Sequence, residues 1–180
     1  MPGPEKTIET RRIYDGKILS LRVDTISLPN GAISMREIIE HGNAVVLVPI
    51  DDEGRVLLVR QYRKPVEQVL LELPAGNMEA GEDPQAAATR ELREETGFLP
   101  GKLERLGGFY AAPGYCQEYL HLFLATDLRP DPLPADFDED LELVATPWTE
   151  VPPLLESGAI CDSKSVAGLW WAIARLGKAS

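Results

Sequence analysis

Hydrophobic and polar positions alternate along the first quarter of the chain. Three such segments cover residues 7–14, 18–28 and 33–41, and the pairs Asp15-Gly16 and Asn30-Gly31 separate them. Asp-Gly and Asn-Gly favour the tight turns of β-hairpins. This part of the sequence therefore predicts a three-stranded antiparallel meander.

A different hydrophobic pattern begins at residue 44. Residues 44–50 read AVVLVPI, a run without alternation that is typical of a strand buried on both faces. The acidic, proline-rich stretch from Leu128 to Glu142 predicts a loop. Further strands are predicted at residues 55–62, 69–73, 103–110, 119–126 and 143–148.

Helical periodicity predicts a short helix near residues 150–157 and an amphipathic one over 163–176. In the latter, one apolar stripe is formed by Val166, Leu169, Trp170 and Ile173. Trp170 and its neighbour Trp171 are interpreted as packing residues rather than as a base-stacking platform. A mixed sheet with two or three helices on its faces predicts an α/β (α+β) sandwich.

A cluster of acidic residues lies on a further predicted helix. In the run RELREE, Glu91, Glu94 and Glu95 stand at helical spacing, about 5–6 Å apart at Cβ, and share one face. Because like charges repel, the cluster predicts a bound cation, with Mg²⁺ as first choice and Mn²⁺ as second. The alternative is a solvated face whose glutamates pair with arginines.

The residues around this cluster predict where its helix begins and ends. Asp83 is suited to the N-cap, and Pro84 follows at the first helical position, where its missing N–H costs nothing. Gly97 is suited to the left-handed position after the last turn. A helix from Pro84 to about Thr96 follows.

Composition and charge narrow the functional classes. The chain has 180 residues, 44% of them hydrophobic, and a net charge of −11. This charge argues against non-specific binding to nucleic acid or to an anionic membrane. Cys116 and Cys161 form no CxxC motif, which argues against structural zinc and a disulfide framework. Without a signal-like start or a membrane-length apolar run, a cytoplasmic protein is expected.

The acidic cluster belongs to a longer pattern that identifies a family. From Gly76 to Phe98 the sequence fits G-x5-E-x7-R-E-U-x-E-E-x-G-U, where U is a bulky apolar residue. In this pattern the chain resembles the Nudix hydrolase family. The resemblance implies hydrolysis of a nucleoside diphosphate linked to another moiety, on an α/β/α sandwich with a mixed central sheet. Residues 42–180 would form this domain, and the N-terminal antiparallel β-meander, residues 1–41, would be an addition to it.

The resemblance also implies roles for the residues of this pattern. Mg²⁺ would be bound by Glu91, Glu95, Glu94 and the carbonyl of Ala75, and supported by Arg90, Glu82 and Gly76. The catalytic base is expected in the acidic loop, where Phe137 stands at the position expected for a glutamate. Glu139 is then the best candidate, as the base or as a further metal ligand, and the alternative is that this acidic run is only a solvated loop. Glu94 and Glu95 stay open as alternative bases.

Other segments resemble the ADP-ribose pyrophosphatase subfamily. These are residues 60–63, 72–76 and 112–118, the last reading APGYCQE. The resemblance places an arginine, Arg63, near the substrate phosphates. It places Pro113, Gly114 and Glu118 in a loop that contacts the substrate, with Glu118 near the terminal ribose. Ile18, Arg36 and Glu37 match residues that reach the nucleotide from a partner subunit, which implies a homodimer formed through residues 7–41.

The expected activity is Mg²⁺-dependent hydrolysis of ADP-ribose to AMP and ribose 5-phosphate. One alternative is another nucleoside diphosphate derivative, such as a nucleotide sugar. A second, of a different class, is a module that binds ADP-ribose without hydrolysing it. The sequence contains neither a GxSxG motif nor a Walker A motif. The residues that serine hydrolases and P-loop enzymes need for their chemistry are therefore missing.

Overall fold

The computed structural model describes residues 3–134 and 140–177. Its strands are β1 Lys6–Asp15, β2 Leu19–Ser27, β3 Ile33–His41, β4 Ala44–Pro49, β5 Arg55–Arg63, β6 Gln68–Glu72, β7 Ala75–Asn77, β8 Phe98–Tyr110, β9 Tyr119–Pro130 and β10 Leu141–Pro147. Its α-helices are α1 Pro84–Thr96, α2 Val151–Glu156 and α3 Ser163–Leu176, with a 3-10 turn at Trp148–Glu150. No helix in the described ranges is both long and apolar enough to cross a membrane.

The chain divides into two compact units. The first unit comprises residues 1–43 and 110–119, and the second comprises residues 44–109 and 120–180.

The first unit is built on the predicted antiparallel meander, in the order β1-β2-β3. Between β2 and β3 the turn contains Gly31, whose φ of 84° is a left-handed conformation that glycine adopts without strain. The segment 110–119 joins the outer edge of β3, because the amide of Ile39 donates to the carbonyl of Tyr115 at 2.7 Å. All ten residues of β1 are exposed.

The second unit contains two sheets. One has the order β7-β4-β9-β8, with β4 parallel to β9 and antiparallel to β7, so it is the predicted mixed sheet. The other has the order β10-β5-β6 and its pairs are antiparallel. β8 begins at Phe98 and β9 continues to Pro130, so both are longer than the sequence pattern predicts.

Strand β4 is buried on both faces, as its unbroken apolar run predicts. Val45 and Leu47 pack into a core with Leu92 of α1. Val46 points to the opposite face, where it lies close to Gly168 of α3. The two helices therefore cover opposite faces of the mixed sheet, and the predicted α/β/α sandwich is confirmed.

The buried face of α3 differs from the predicted stripe by about one position. The buried residues are Ser165, Gly168, Leu169 and Ala172, whereas Trp170 and Trp171 are 44% and 41% exposed. Gly168 lies against Leu73 and Leu122, at places where a Cβ would come within 2.7 and 3.1 Å of their side chains. Small residues therefore bring the helix close to the sheet, and the indole rings stay at its margin.

Candidate active site

Helix α1 carries the acidic cluster and begins and ends at the predicted residues. The Asp83 carboxylate accepts hydrogen bonds from the amides of Gln85 and Ala86, at 2.9 and 3.2 Å. At the other end Gly97 has a φ of 79° and its amide donates to the carbonyl of Arg93. These caps satisfy backbone groups that a helix leaves without partners, and they set where the helix begins and ends.

The cluster lies on the side of α1 that meets strand β7. Glu91 and Glu95 are only 7% and 9% exposed, although both are charged residues on a helix. Glu95 accepts a hydrogen bond from the amide of Ala75 at 3.1 Å. This bond brings a helix carboxylate to the backbone of the residue whose carbonyl is the predicted ligand.

Arg90 joins three of the glutamates. Its guanidinium forms a fork with Glu82 at 3.1 and 3.0 Å, and its Nη1 donates to Glu91 at 2.7 Å and to Glu94 at 2.9 Å. It also donates to the carbonyl of Asn77 at 3.1 Å. The hydrogen bond with Glu82 is the main cause of a raised Arg90 pKa, which the bonds to Glu91 and Glu94 raise further. Arg90 thus fixes the orientation of the Glu82, Glu91 and Glu94 side chains.

Gly76 makes room for one of these carboxylates. A Cβ at this position would lie 2.0 Å from the carboxyl carbon of Glu91. Any other side chain would therefore displace Glu91 from the place it occupies beside β7.

The donors at this end of α1 suit a hard divalent cation. Glu91 and Glu94 pair with the Arg90 guanidinium, and Glu95, on the same face of the helix, accepts from the amide of Ala75, so carboxylates gather in a largely buried place. In the described ranges no three acidic, histidine or cysteine side chains converge in an arrangement that could hold a metal ion, and Glu91 and Glu94 both accept hydrogen bonds from Arg90. Carboxylate and carbonyl oxygens suit Mg²⁺ or Mn²⁺, whereas softer metals prefer sulfur ligands.

The predicted phosphate-binding arginine is held by a residue that the sequence reading did not single out. Arg63 donates through Nε and Nη2 to the two oxygens of Glu72, at 2.9 and 2.6 Å. Glu72 is only 1% exposed. Its hydrogen bond raises the pKa of Arg63, and the negative charge of Glu95 contributes to this rise.

Lys164 of α3 bonds the same carboxylate and was likewise not predicted. Its ammonium donates to Glu72 and, at 2.8 Å, to Asp162, which caps α3. Burial raises the pKa of the Glu72 carboxyl, but the hydrogen bonds and charges of Arg63 and Lys164 outweigh burial and lower it below its ordinary value. Glu72 and Lys164 are 92 residues apart, so no local motif could have paired them.

In the first unit, four predicted substrate residues line one open cleft of about 500 Å³. These are Arg36, Glu37, Pro113 and Gly114. Arg36 forms a fork with Glu5, with distances of 3.1 and 2.5 Å. The lining of the cleft comes from strand β3, with Glu5 and Arg22, and from the segment 110–119.

Two other predicted residues of the first unit, Ile18 and Glu118, lie outside this cleft's lining. Ile18 is 67% exposed in the turn before β2. The Glu118 carboxylate lies 3.6 Å from the Nδ1 of His41 and is partly buried. Glu139 lies outside the described residues, as does Phe137.

The sequence matches two family models in tandem. Residues 40–167 match the NUDIX domain, and residues 5–39 match the nucleoside diphosphate sugar hydrolase N-terminal domain. These matches cover the stretch from Gly76 to Phe98 and the meander before it.

Several known proteins are similar to this chain over nearly its whole length. An ADP-ribose pyrophosphatase of Bacillus subtilis is 40% identical, over 89% of this chain and 88% of its own. A methanol dehydrogenase activator of Bacillus methanolicus is 42% identical, over 90% of this chain and 89% of its own. The crystal structure of an ADP compounds hydrolase superposes with a TM-score of 0.91 at 26% identity, and covers 100% of this chain and 98% of that one. This chain therefore belongs to the Nudix hydrolases, a family of pyrophosphohydrolases that act with a divalent metal ion.

Proposed function

We propose that this enzyme hydrolyses the pyrophosphate bond of ADP-ribose to AMP and ribose 5-phosphate, with Mg²⁺ as its metal. The observation that carries this proposal is the buried pair Glu91 and Glu95, gathered against Ala75 and Gly76 with Arg90 beside them. The similarity to an ADP-ribose pyrophosphatase over 89% of the chain supports the choice of substrate.

The metal would be held by Glu91, Glu95, Glu94 and the carbonyl of Ala75. When bound, a divalent cation supplies positive charge that polarises the diphosphate and offsets the charge of the leaving phosphate. The chain's own part is to orient the ligands, which Arg90 does by bonding Glu82, Glu91 and Glu94 together. Gly76 keeps the space that the Glu91 carboxyl fills.

The remaining roles follow the predicted assignments. Arg63 presents N–H donors to the diphosphate, a geometry suited to paired oxyanions. A carboxylate accepts the proton of the attacking water, with Glu139 as first candidate and Glu94 and Glu95 as the others. Arg36 and Glu37, with the segment around Ile18, reach the nucleotide of the partner subunit. Pro113 and Gly114, which line the same cleft as Arg36 and Glu37, contact the substrate together with Glu118, which lies near the terminal ribose.

Incubation of the purified protein with ADP-ribose and Mg²⁺ tests this function directly. We expect AMP and ribose 5-phosphate in equal amounts, no turnover after chelation, and recovery when Mg²⁺ or Mn²⁺ is restored. Glu95→Gln should lower the rate by at least about 100-fold, since even residues that only support a metal ligand contribute about 10–100-fold. Tight binding of ADP-ribose with no turnover, unchanged by Glu95→Gln, would instead identify a binding module.

The second candidate function is hydrolysis of a nucleoside diphosphate sugar. The match of residues 5–39 to the N-terminal domain of nucleoside diphosphate sugar hydrolases favours it. A substrate panel that contains ADP-ribose and GDP-mannose at equal concentration discriminates the two. A strong preference for GDP-mannose would replace ADP-ribose as the substrate and leave the chemistry unchanged.

We also propose that the enzyme is a homodimer formed through its β-meander. Ile33 and Met35, on one face of β3, are 62% and 58% exposed, and Tyr14 of β1 is 57% exposed. Apolar side chains presented together on a strand face favour association. A cytoplasmic location remains a prediction of the sequence.

A further inference from the structure

Glu72 is the least exposed of the buried charged residues in the described ranges, at 1%. Burial of a carboxylate is unfavourable unless it is fully paired, and well-packed apolar residues often serve stability equally well. A buried carboxylate with two cationic partners therefore calls for a reason beyond stability. Its position three residues before Ala75, in the strand that leads to the metal-site loop, suggests one.

The geometry of the Glu72–Arg63 pair fixes a guanidinium while leaving part of it available. The fork uses Nε and one N–H of Nη2, at 2.9 and 2.6 Å. A guanidinium has five N–H donors in one plane, so three remain for other acceptors. The Arg63 side chain is 38% exposed, which lets an oxyanion approach it.

Lys164 fixes Glu72 from the other side. Its ammonium bonds both Glu72 and Asp162, and its side chain is only 15% exposed. The charges of Arg63, Lys164, Glu72 and Asp162 sum to zero, so the cluster is neutral as a whole. The four side chains therefore hold one another in place, and the cluster adds no net charge near Glu95, the predicted metal ligand.

We propose that Glu72 is a positioning residue that fixes the Arg63 guanidinium for the diphosphate of the substrate, and that Lys164 holds Glu72 in that role. This inference rests on the proposed function, because it requires a diphosphate at Arg63. It predicts that Glu72 acts on the reaction only through Arg63. A residue that merely stabilises the fold would act independently of Arg63.

A double-mutant cycle with Glu72→Gln and Arg63→Ala tests this dependence. Glutamine keeps the size of the side chain but loses the charge and half of the fork. We expect Glu72→Gln to lower kcat/KM by about 10–100-fold, as is typical when the support of a functional group is lost. In the Arg63→Ala background the same substitution should change kcat/KM by less than about twofold. Losses that multiply in the double variant would overturn the proposal.

Variants of Lys164 provide a second test that avoids changing the buried carboxylate. Lys164→Met should lower kcat/KM by about three- to tenfold, and Lys164→Arg should restore most of it because a cation again bonds Glu72. The matched control is Arg175→Met, also on α3, whose ion pair with Glu104 is 50% and 30% exposed. Equal effects of Lys164→Met and Arg175→Met would overturn the role of Lys164.

The two proposals fail in different ways. A wild-type protein that hydrolyses no nucleoside diphosphate derivative with Mg²⁺ would refute the proposed function and this inference with it. If the wild type is active but the losses of Glu72→Gln and Arg63→Ala multiply in the double variant, only this inference is refuted. If Glu72→Gln does not fold, the cycle of Lys164→Met with Arg63→Ala decides the question by the same criterion.

Discussion

At the scale of single residues, the site depends on a missing side chain as much as on its carboxylates. A Cβ on Gly76 would lie within 2.0–2.2 Å of the carboxyl atoms of Glu91, the end of a flexible side chain that can turn away. We therefore expect Gly76→Ala to fold, with a melting temperature within a few degrees of the wild type, and to lose activity by about 10–100-fold. Half-maximal activity should require more Mg²⁺.

The control for this prediction is Gly42→Ala, because a Cβ on Gly42 would meet nothing within 4 Å. Titration of activity against Mg²⁺ for the two variants provides the comparison. An unchanged Mg²⁺ dependence in Gly76→Ala would show that Glu91 is not displaced, or that it does not bind the metal.

Residue spacing in the sequence could predict part of this site. Glu91, Glu94 and Glu95 are neighbours on one helix, and their meeting with Gly76 follows from a pattern of fixed length. The bond between Glu72 and Lys164 depends on how α3 packs on the sheet, 92 residues away, and no local pattern contains that information. The position of Arg63 near the substrate phosphates was predicted. The role of Glu72, its buried partner, was not.

At the scale of elements, α1 positions the carboxylates and its N-cap contributes to its stability. The Asp83 side chain accepts two backbone hydrogen bonds, at 2.9 and 3.2 Å. We expect Asp83→Ala to lower the free energy of unfolding by about 0.5–2 kcal/mol, measured by urea denaturation. The rate at saturating substrate should stay within about twofold, because Glu91 and Glu95 lie two or more turns from the cap.

Asp83→Asn is the matched variant, since asparagine retains an oxygen that accepts the same hydrogen bonds. Its free energy of unfolding should lie close to that of the wild type. A loss as large as that of Asp83→Ala would show that charge near the helix N-terminus, rather than the cap, accounts for the effect.

Elements with strong local signals were predicted well, and those that depend on packing were not. Asp83, Pro84 and Gly97 define α1 in the sequence and in the structure alike. The stripe of α3 was placed about one position away, because periodicity ranks the indoles as core residues whereas the close approach of helix and sheet requires Gly168 and Ala172. Residue size as well as hydrophobicity decides which face of this helix is buried, since Gly168 and Ala172 are buried together with Leu169.

At the scale of the whole molecule, the chain combines a meander with a complete sandwich. The family models meet between residues 39 and 40, close to the end of β3. Ile33 and Met35 point to the same face of that strand, because side chains alternate along it. Their exposure, 62% and 58%, is unfavourable for an isolated chain in water.

We expect the double variant Ile33→Lys/Met35→Lys to dissociate the proposed dimer, because paired charges on this face would be buried without partners. Sedimentation velocity at several protein concentrations would show a monomer for the variant and a dimer for the wild type. If the partner's Arg36 and Glu37 complete the nucleotide site, activity should fall together with association. Val69→Lys changes an equally exposed apolar residue of β6, 62% exposed, and should leave association unchanged. A wild type that is monomeric and fully active would refute the dimer, and dissociation without loss of activity would refute the shared site.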